Sequence, residues 1–235
     1  MPSKSDAESA PFGAQSYLEA IYVLTTENRQ VQAVRIAEYL GVSAVSVSRA
    51  LTRLEKSGDI VSRSPEVRLS ARGWAKAEAV VRRHRLAERW LSDRLGLGLV
   101  EAHREAERLE HALSQRVEQA LWEDLGRPTT CPHGNPIPGL TDAASPTLHV
   151  VPLDRARPGR YIVDRIYEQM EGLEERLLWI QDHGLIPGSF FIVPEVNHPV
   201  GGEPIIEIGE LVITVPQDVA RQLMVREADE SSPAT

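Results

Sequence analysis

The sequence of 235 residues predicts an α+β multidomain protein, with a mainly α-helical N-terminal part and a small β-rich domain at the C-terminus. Three observations support this. Apolar residues recur at three- and four-residue spacing through roughly the first half of the chain, a proline-dense stretch then interrupts the pattern, and short β-branched runs divided by glycine and proline follow it.

Tyr17, Leu18, Ile21, Tyr22 and Leu24 give an amphipathic helix over 14–27. Ile36, Ala37 and Leu40 place a second helix over 33–40, ended by Gly41, which can adopt the left-handed conformation of a helix C-terminus. Ser43 is a suitable N-cap for a third helix, in which Val47, Leu51 and Leu54 form one stripe running to Gly58. Residues 60–63 and 66–70 predict a hairpin around Ser64-Pro65. A long helix begins at Ala71 and stops before Gly96 and Gly98, and a further helix is expected over 100–125. Pro128, Pro132, Pro136, Pro138, Pro146 and Pro152 then suggest an extended linker. Beyond it, 161–166, 189–193, 204–208 and 210–215 predict strands, with a helix near 173–182 and a disordered polar tail after Arg226. The expected domains are residues 1–73, 74–140 and 158–228, with 141–157 as linker and 229–235 as tail.

No apolar run approaches the ~18 residues needed to cross a bilayer, and the first ten residues carry no apolar export segment. With one cysteine, the chain is expected to be cytoplasmic, without a membrane partner. The net charge of −8 conceals an uneven distribution. Residues 29–85 hold 12 basic against 5 acidic side chains, a balance of +7, which leaves 14 basic and 29 acidic, or −15, elsewhere. A phosphate backbone responds to the local charge.

Helix, short turn, helix and hairpin, in a basic segment, match a winged helix-turn-helix, whose second helix enters the DNA major groove. Its first turns would present Ala44, Val45, Ser46, Ser48 and Arg49. Arg49 can pair bidentately with guanine, serines suit phosphates or either base class, and a small apolar side chain can meet a thymine methyl. The candidate DNA contacts are Ser43, Val45, Ser46, Ser48, Arg49, Arg53, Arg63 and Arg68, and the partner is double-stranded DNA. The plainer alternative is a helical hairpin with a solvated basic face.

His84 and Glu88 form an i, i+4 pair, while His103, Glu107, Glu110 and His111 fall within about one quadrant of the next predicted helix. A charged helix surface would explain any one of them. Clustered imidazole and carboxylate donors without a thiolate instead suit Mn²⁺ or Fe²⁺, though Zn²⁺ would also bind them. Cys131-Pro-His133 offers a thiol and an imidazole two apart, but such a pair in a proline-rich linker is more often structural.

With RRHRLAERWL at 82–91, HREAERLEHALS at 103–114 and GNPIPG at 134–139, the chain resembles the diphtheria toxin repressor and manganese transport regulator family of metal-dependent repressors. The resemblance implies a C-terminal SH3-like barrel, a helical homodimer, a palindromic operator near metal uptake or homeostasis genes, and about two Mn²⁺ or Fe²⁺ sites per chain. It implies an ancillary site of His84, Glu88 and His103 with Glu168 and Glu171, and a primary site of Glu107, Glu110 and His111 with Glu19. Glu107 stands where iron-responsive members carry cysteine and manganese-responsive members carry glutamate. Ser16 stands where manganese members carry the first carboxylate of a pair on the first helix. Two other classes compete: a winged-helix regulator of an organic ligand, and a helical di-metal carboxylate enzyme. The second would need Glu-x-x-His on two helices, whereas Val81 and Arg108 precede His84 and His111 by three.

Overall fold

The computed structural model describes residues 13–27, 30–139, 149–167, 173–195 and 203–228. They form two compact units that divide inside one helix, between Val81 and Arg82, where the sequence suggested a boundary after residue 73.

The first unit contains α1 (Ala14–Thr26), α2 (Ala33–Leu40), α3 (Ala44–Lys56), β1 (Ile60–Ser62), β2 (Arg68–Leu69) and the first turns of α4 (Ala71–Leu95). Gly41 ends α2 at φ 63°, and the Ser43 side chain accepts the Ser46 N–H to cap α3, both as expected. Ile21, Ile36, Val47 and Leu54 are buried in its core. The paired strands are shorter than the runs that suggested them, and they form an antiparallel pair with an irregular register. The buried Asp59 carboxylate accepts from Ser57, and both of its oxygens accept from the Lys76 ammonium, at 2.8 and 2.9 Å. Gly73 packs so closely that a Cβ there would collide with the Asp59 carbonyl.

The second unit starts with the remainder of α4. The helix expected over 100–125 is two helices, α5 (Leu99–Leu109) and α6 (Gln115–Asp124). Ser114 caps α6 by accepting the Val117 N–H, so the chain restarts there. Leu109 and Leu113 pack on the same small core as Leu91 and Ala106, which keeps the helical spacing intact across the break and hides it from periodicity. The proline-dense segment, described as far as Gly139, has a Thr130–Pro136 bridge and a tight turn in which Cys131 N–H donates to Asn135 C=O.

Strand β3 (Val150–Pro152) lies within the span expected to be linker. It is followed by β4 (Gly159–Ile166), α7 (Leu173–Asp182), β5 (Phe190–Val193), β6 (Ile205–Ile208), β7 (Leu211–Thr214), α8 (Gln217–Ala220) and β8 (Leu223–Glu227). The six strands form one antiparallel sheet in the order β3-β8-β4-β5-β6-β7. Among the described residues no pairing joins β7 back to β3, so the sheet is open where a barrel was expected. Its core, with Ile166, Leu177, Ile180, Phe191 and Ile206, also includes Leu99 and Val100 from the start of α5.

Candidate metal centre and nucleic-acid interface

Helix α4 carries His84 and Glu88 one turn apart, so both point to the same side. There they meet His103 of α5. Glu88 Oε1 lies 3.0 Å from His84 Nε2, 2.9 Å from His103 Nδ1 and 3.2 Å from His133 Nδ1, and the first two imidazole nitrogens are 3.2 Å apart. Cys131 Sγ is 3.9 Å from His133 Nδ1. Glu88 and His133 are fully buried, and Cys131 is 1% exposed. The sequence pointed to a thiol-free cluster and to a structural role for Cys131 and His133; the turn at 131–135 instead delivers both to Glu88. The available signal was their two-residue spacing next to GNPIPG, but nothing local identifies a partner 43 residues earlier in the chain.

Burial alone would drive the His84 proton off, yet the Glu88 charge and the hydrogen bonds that His84 donates to Glu110 and Glu88 outweigh it and hold His84 well above the usual histidine range. Burial likewise opposes ionisation of Glu88, while His133 and His84 with hydrogen bonds from His103 and His133 hold it well below the carboxylate range. The centre is therefore a buried anion ringed by imidazoles. Glu88 Oε2 and His103 Nε2 are buried without a hydrogen-bond partner, an expensive arrangement for a site that protein atoms alone complete. Ligands at right angles around one divalent cation sit roughly 3 Å apart, which is the spacing of the donors around Glu88 Oε1. These residues fit a divalent ion.

The other expected donors divide. Glu110 is buried at the end of α5; it meets His84 Nδ1 at 2.7 Å, and its backbone carbonyl accepts from Arg83. Exposed His111 lies 3.4 Å from Glu110 Oε1, and half-exposed Glu107 lies 3.8 Å from His103 Nε2. His84 thus faces one carboxylate through each ring nitrogen. Glu19 is half-buried on α1 in the first unit, as is Ser16. Glu168 and Glu171 lie outside the described residues.

On the first unit, α3 exposes Ala44, Val45, Ser48, Arg49 and Arg53, and β2 exposes Arg68. Three of the expected contacts already have protein partners. Arg63 donates to Thr52 Oγ1 at 3.2 Å and meets Glu55 at 3.3 Å, while the Ser43 and Ser46 hydroxyls are 3.0 Å apart within the cap. Arg72, just after β2, is 3.2 Å from Asp59.

Residues 13–63 match the family model described as the iron dependent repressor N-terminal DNA binding domain, and residues 70–139 match its metal binding and dimerisation domain. The chain is 34% identical over 221 residues to the iron-dependent repressor IdeR of Mycobacterium tuberculosis, covering 90% of this chain and 95% of that protein. It belongs to the iron-dependent repressor family. A second relative of this repressor, the diphtheria toxin repressor of Corynebacterium diphtheriae, is 35% identical over 183 residues, 74% of this chain and 81% of the other. Among solved structures, a manganese-dependent transcriptional repressor in complex with manganese superposes on the repressor with a TM-score of 0.79 at 31% identity, covering 92% of this chain and all of the other. The manganese regulator SloR gives 0.77 at 26% identity, with 93% and 100% coverage. No helix among the repressor's described residues is long and apolar enough to cross a membrane.

Proposed function

We propose that this family member represses metal uptake or homeostasis genes, binding a roughly palindromic operator as a cytoplasmic homodimer when Mn²⁺ or Fe²⁺ is available. Its output is DNA occupancy, with no catalytic step of its own. The observation that carries this reading is the buried Glu88, ringed by His84, His103 and His133 with Cys131 behind, and holding one carboxylate oxygen without a hydrogen bond.

In this reading His84, Glu88, His103, Cys131 and His133 hold one ion, joined by Glu168 and Glu171. Glu107, Glu110 and His111, with Glu19, hold a second. A divalent cation at the first site would neutralise the buried carboxylate and cross-link α4, α5 and the 131–135 turn. The thiol moves that site's preference toward Fe²⁺ or Zn²⁺, whereas the carboxylates of the second favour Mn²⁺. His84 orients both groups, because a nitrogen committed to an ion leaves the other to donate to Glu110. Ser48, Arg49 and Val45 read base edges, while Arg53 and Arg68 contact phosphate. Ser43, Ser46 and Arg63 shape the reading surface from behind.

The test is a gel shift on random genomic fragments, titrated with Mn²⁺ or Fe²⁺ and reversed with EDTA. Specific binding should appear with metal and disappear with chelator. Equally tight specific binding by the EDTA-treated chain would remove the reading and favour regulation by an organic ligand.

A further inference from the structure

We propose that the C-terminal sheet domain is a lid over the Glu88 centre, latched where the Ile166 backbone pairs with His133 and Asn135. The proposal rests on reading that centre as a metal site. Glu88, Cys131 and His133 are at most 1% exposed, so neither an ion nor a thiol reagent reaches them unless a wall of the site opens.

Two walls enclose the turn that carries Cys131 and His133. On the α4 side, guanidinium groups hold it: Arg85 Nη1 donates to the Pro136 carbonyl at 2.5 Å, and Arg82 Nη1 to the Pro138 carbonyl at 3.3 Å. On the sheet side, Ile166 N–H donates to the His133 carbonyl and Asn135 Nδ2 donates to the Ile166 carbonyl, each at 2.8 Å. Gly134, at φ 82°, lies flush against β4, where a Cβ would collide with the Asp164 carbonyl and come within 2.8 Å of Arg165 Cα. Charge-assisted hydrogen bonds are about twice as strong as neutral ones, so the sheet side is the weaker wall.

The same domain grips the helical part at a second place. Gln181 Oε1 of α7 accepts the Leu99 N–H at the start of α5, at 2.9 Å, and Arg104 pairs with Glu174 at 2.7 Å. If the domain moves as a body, loosening this grip opens the distant latch.

Cys131 is the chain's only cysteine, so its alkylation by N-ethylmaleimide in the metal-free full chain reports opening directly. Asn135→Ala removes a latch bond, and Gln181→Ala loosens the other grip without touching the turn. Each should speed alkylation about fivefold, the equivalent of one net hydrogen bond, and the double variant should multiply the two effects. The rate should depend on urea less steeply than global unfolding does. Unchanged rates would overturn the lid, as would acceleration by Asn135→Ala alone, which means local fraying of the turn. A urea slope equal to that of global unfolding would also overturn it.

Mn²⁺ release into excess EDTA should accelerate by the same factors in the same variants, and an unchanged release rate beside faster alkylation would show that ions bypass the lid. Should Glu88→Gln bind as many ions per chain as the parent and with the same affinity, the metal reading of the centre fails, while the alkylation result still decides the lid.

Discussion

Glu88 accepts from imidazoles on three separate segments, so its charge orders α4, α5 and the 131–135 turn around one point. Glu88→Gln keeps the shape and removes the charge. Calorimetry should show one fewer tightly bound ion per chain, or an affinity at least tenfold weaker, since ligand loss exceeds the cost of an outer contact. Asp59 makes a different kind of residue-scale statement. Burial resists its ionisation, but Lys76, Ser57 and Arg72 together depress its pKa. A depressed carboxylate stabilises the fold above its unfolded pKa of about 3.9 and loses that contribution as pH falls through the lower folded value. Asp59→Asn should cost ~2 kcal/mol at neutral pH. In chemical denaturation the gap between variant and parent should close as the pH is taken below 4. Helical spacing, which is local information, put His84 and Glu88 on one face of one helix; that His103 from the next helix joins them was implied only by the family resemblance, and the structure brings the three together. The sequence gave no such guide to Cys131 and His133, whose place at Glu88 depends on a tertiary turn.

At the scale of elements, α3 was legible almost residue by residue: Ser43 capped it, Gly41 closed the helix before it, and its buried stripe was the expected one. The exposed side of the same helix makes predictions that separate reading from holding. Arg49→Ala should relax base preference at one position, by about 1–3 kcal/mol, in competition binding. Arg68→Ala should weaken all duplexes alike and lower the salt slope by about one. Arg63→Ala should do neither cleanly, because its guanidinium is occupied by Thr52 and Glu55; its main effect is expected as a lower melting temperature of the first unit. The break between α5 and α6 was not legible, since Leu109 and Leu113 carry the apolar spacing through it. Strand β3 was hidden by its three-residue length and by the prolines around it.

For the whole molecule, the order of parts was readable: a basic helical segment, a ligand-bearing helical segment and a β-rich end. What was not readable was how the last two are joined. Leu99 and Val100 sit in the sheet-domain core, while His103 and Glu107, one and two turns later on the same α5, face the Glu88 cluster. An eleven-residue helix shared in this way cannot be ordered at one end without the other taking notice. Backbone amides of Phe191 and Ile206, deep in the sheet and remote in sequence from every proposed ligand, should therefore exchange with deuterium more slowly when Mn²⁺ is added. Protection confined to α4, α5 and the 131–135 turn would show that the helix frays between its two halves. Protection that spreads through the sheet would make amide exchange in a domain far along the chain from the N-terminal DNA binding domain a gauge of metal status.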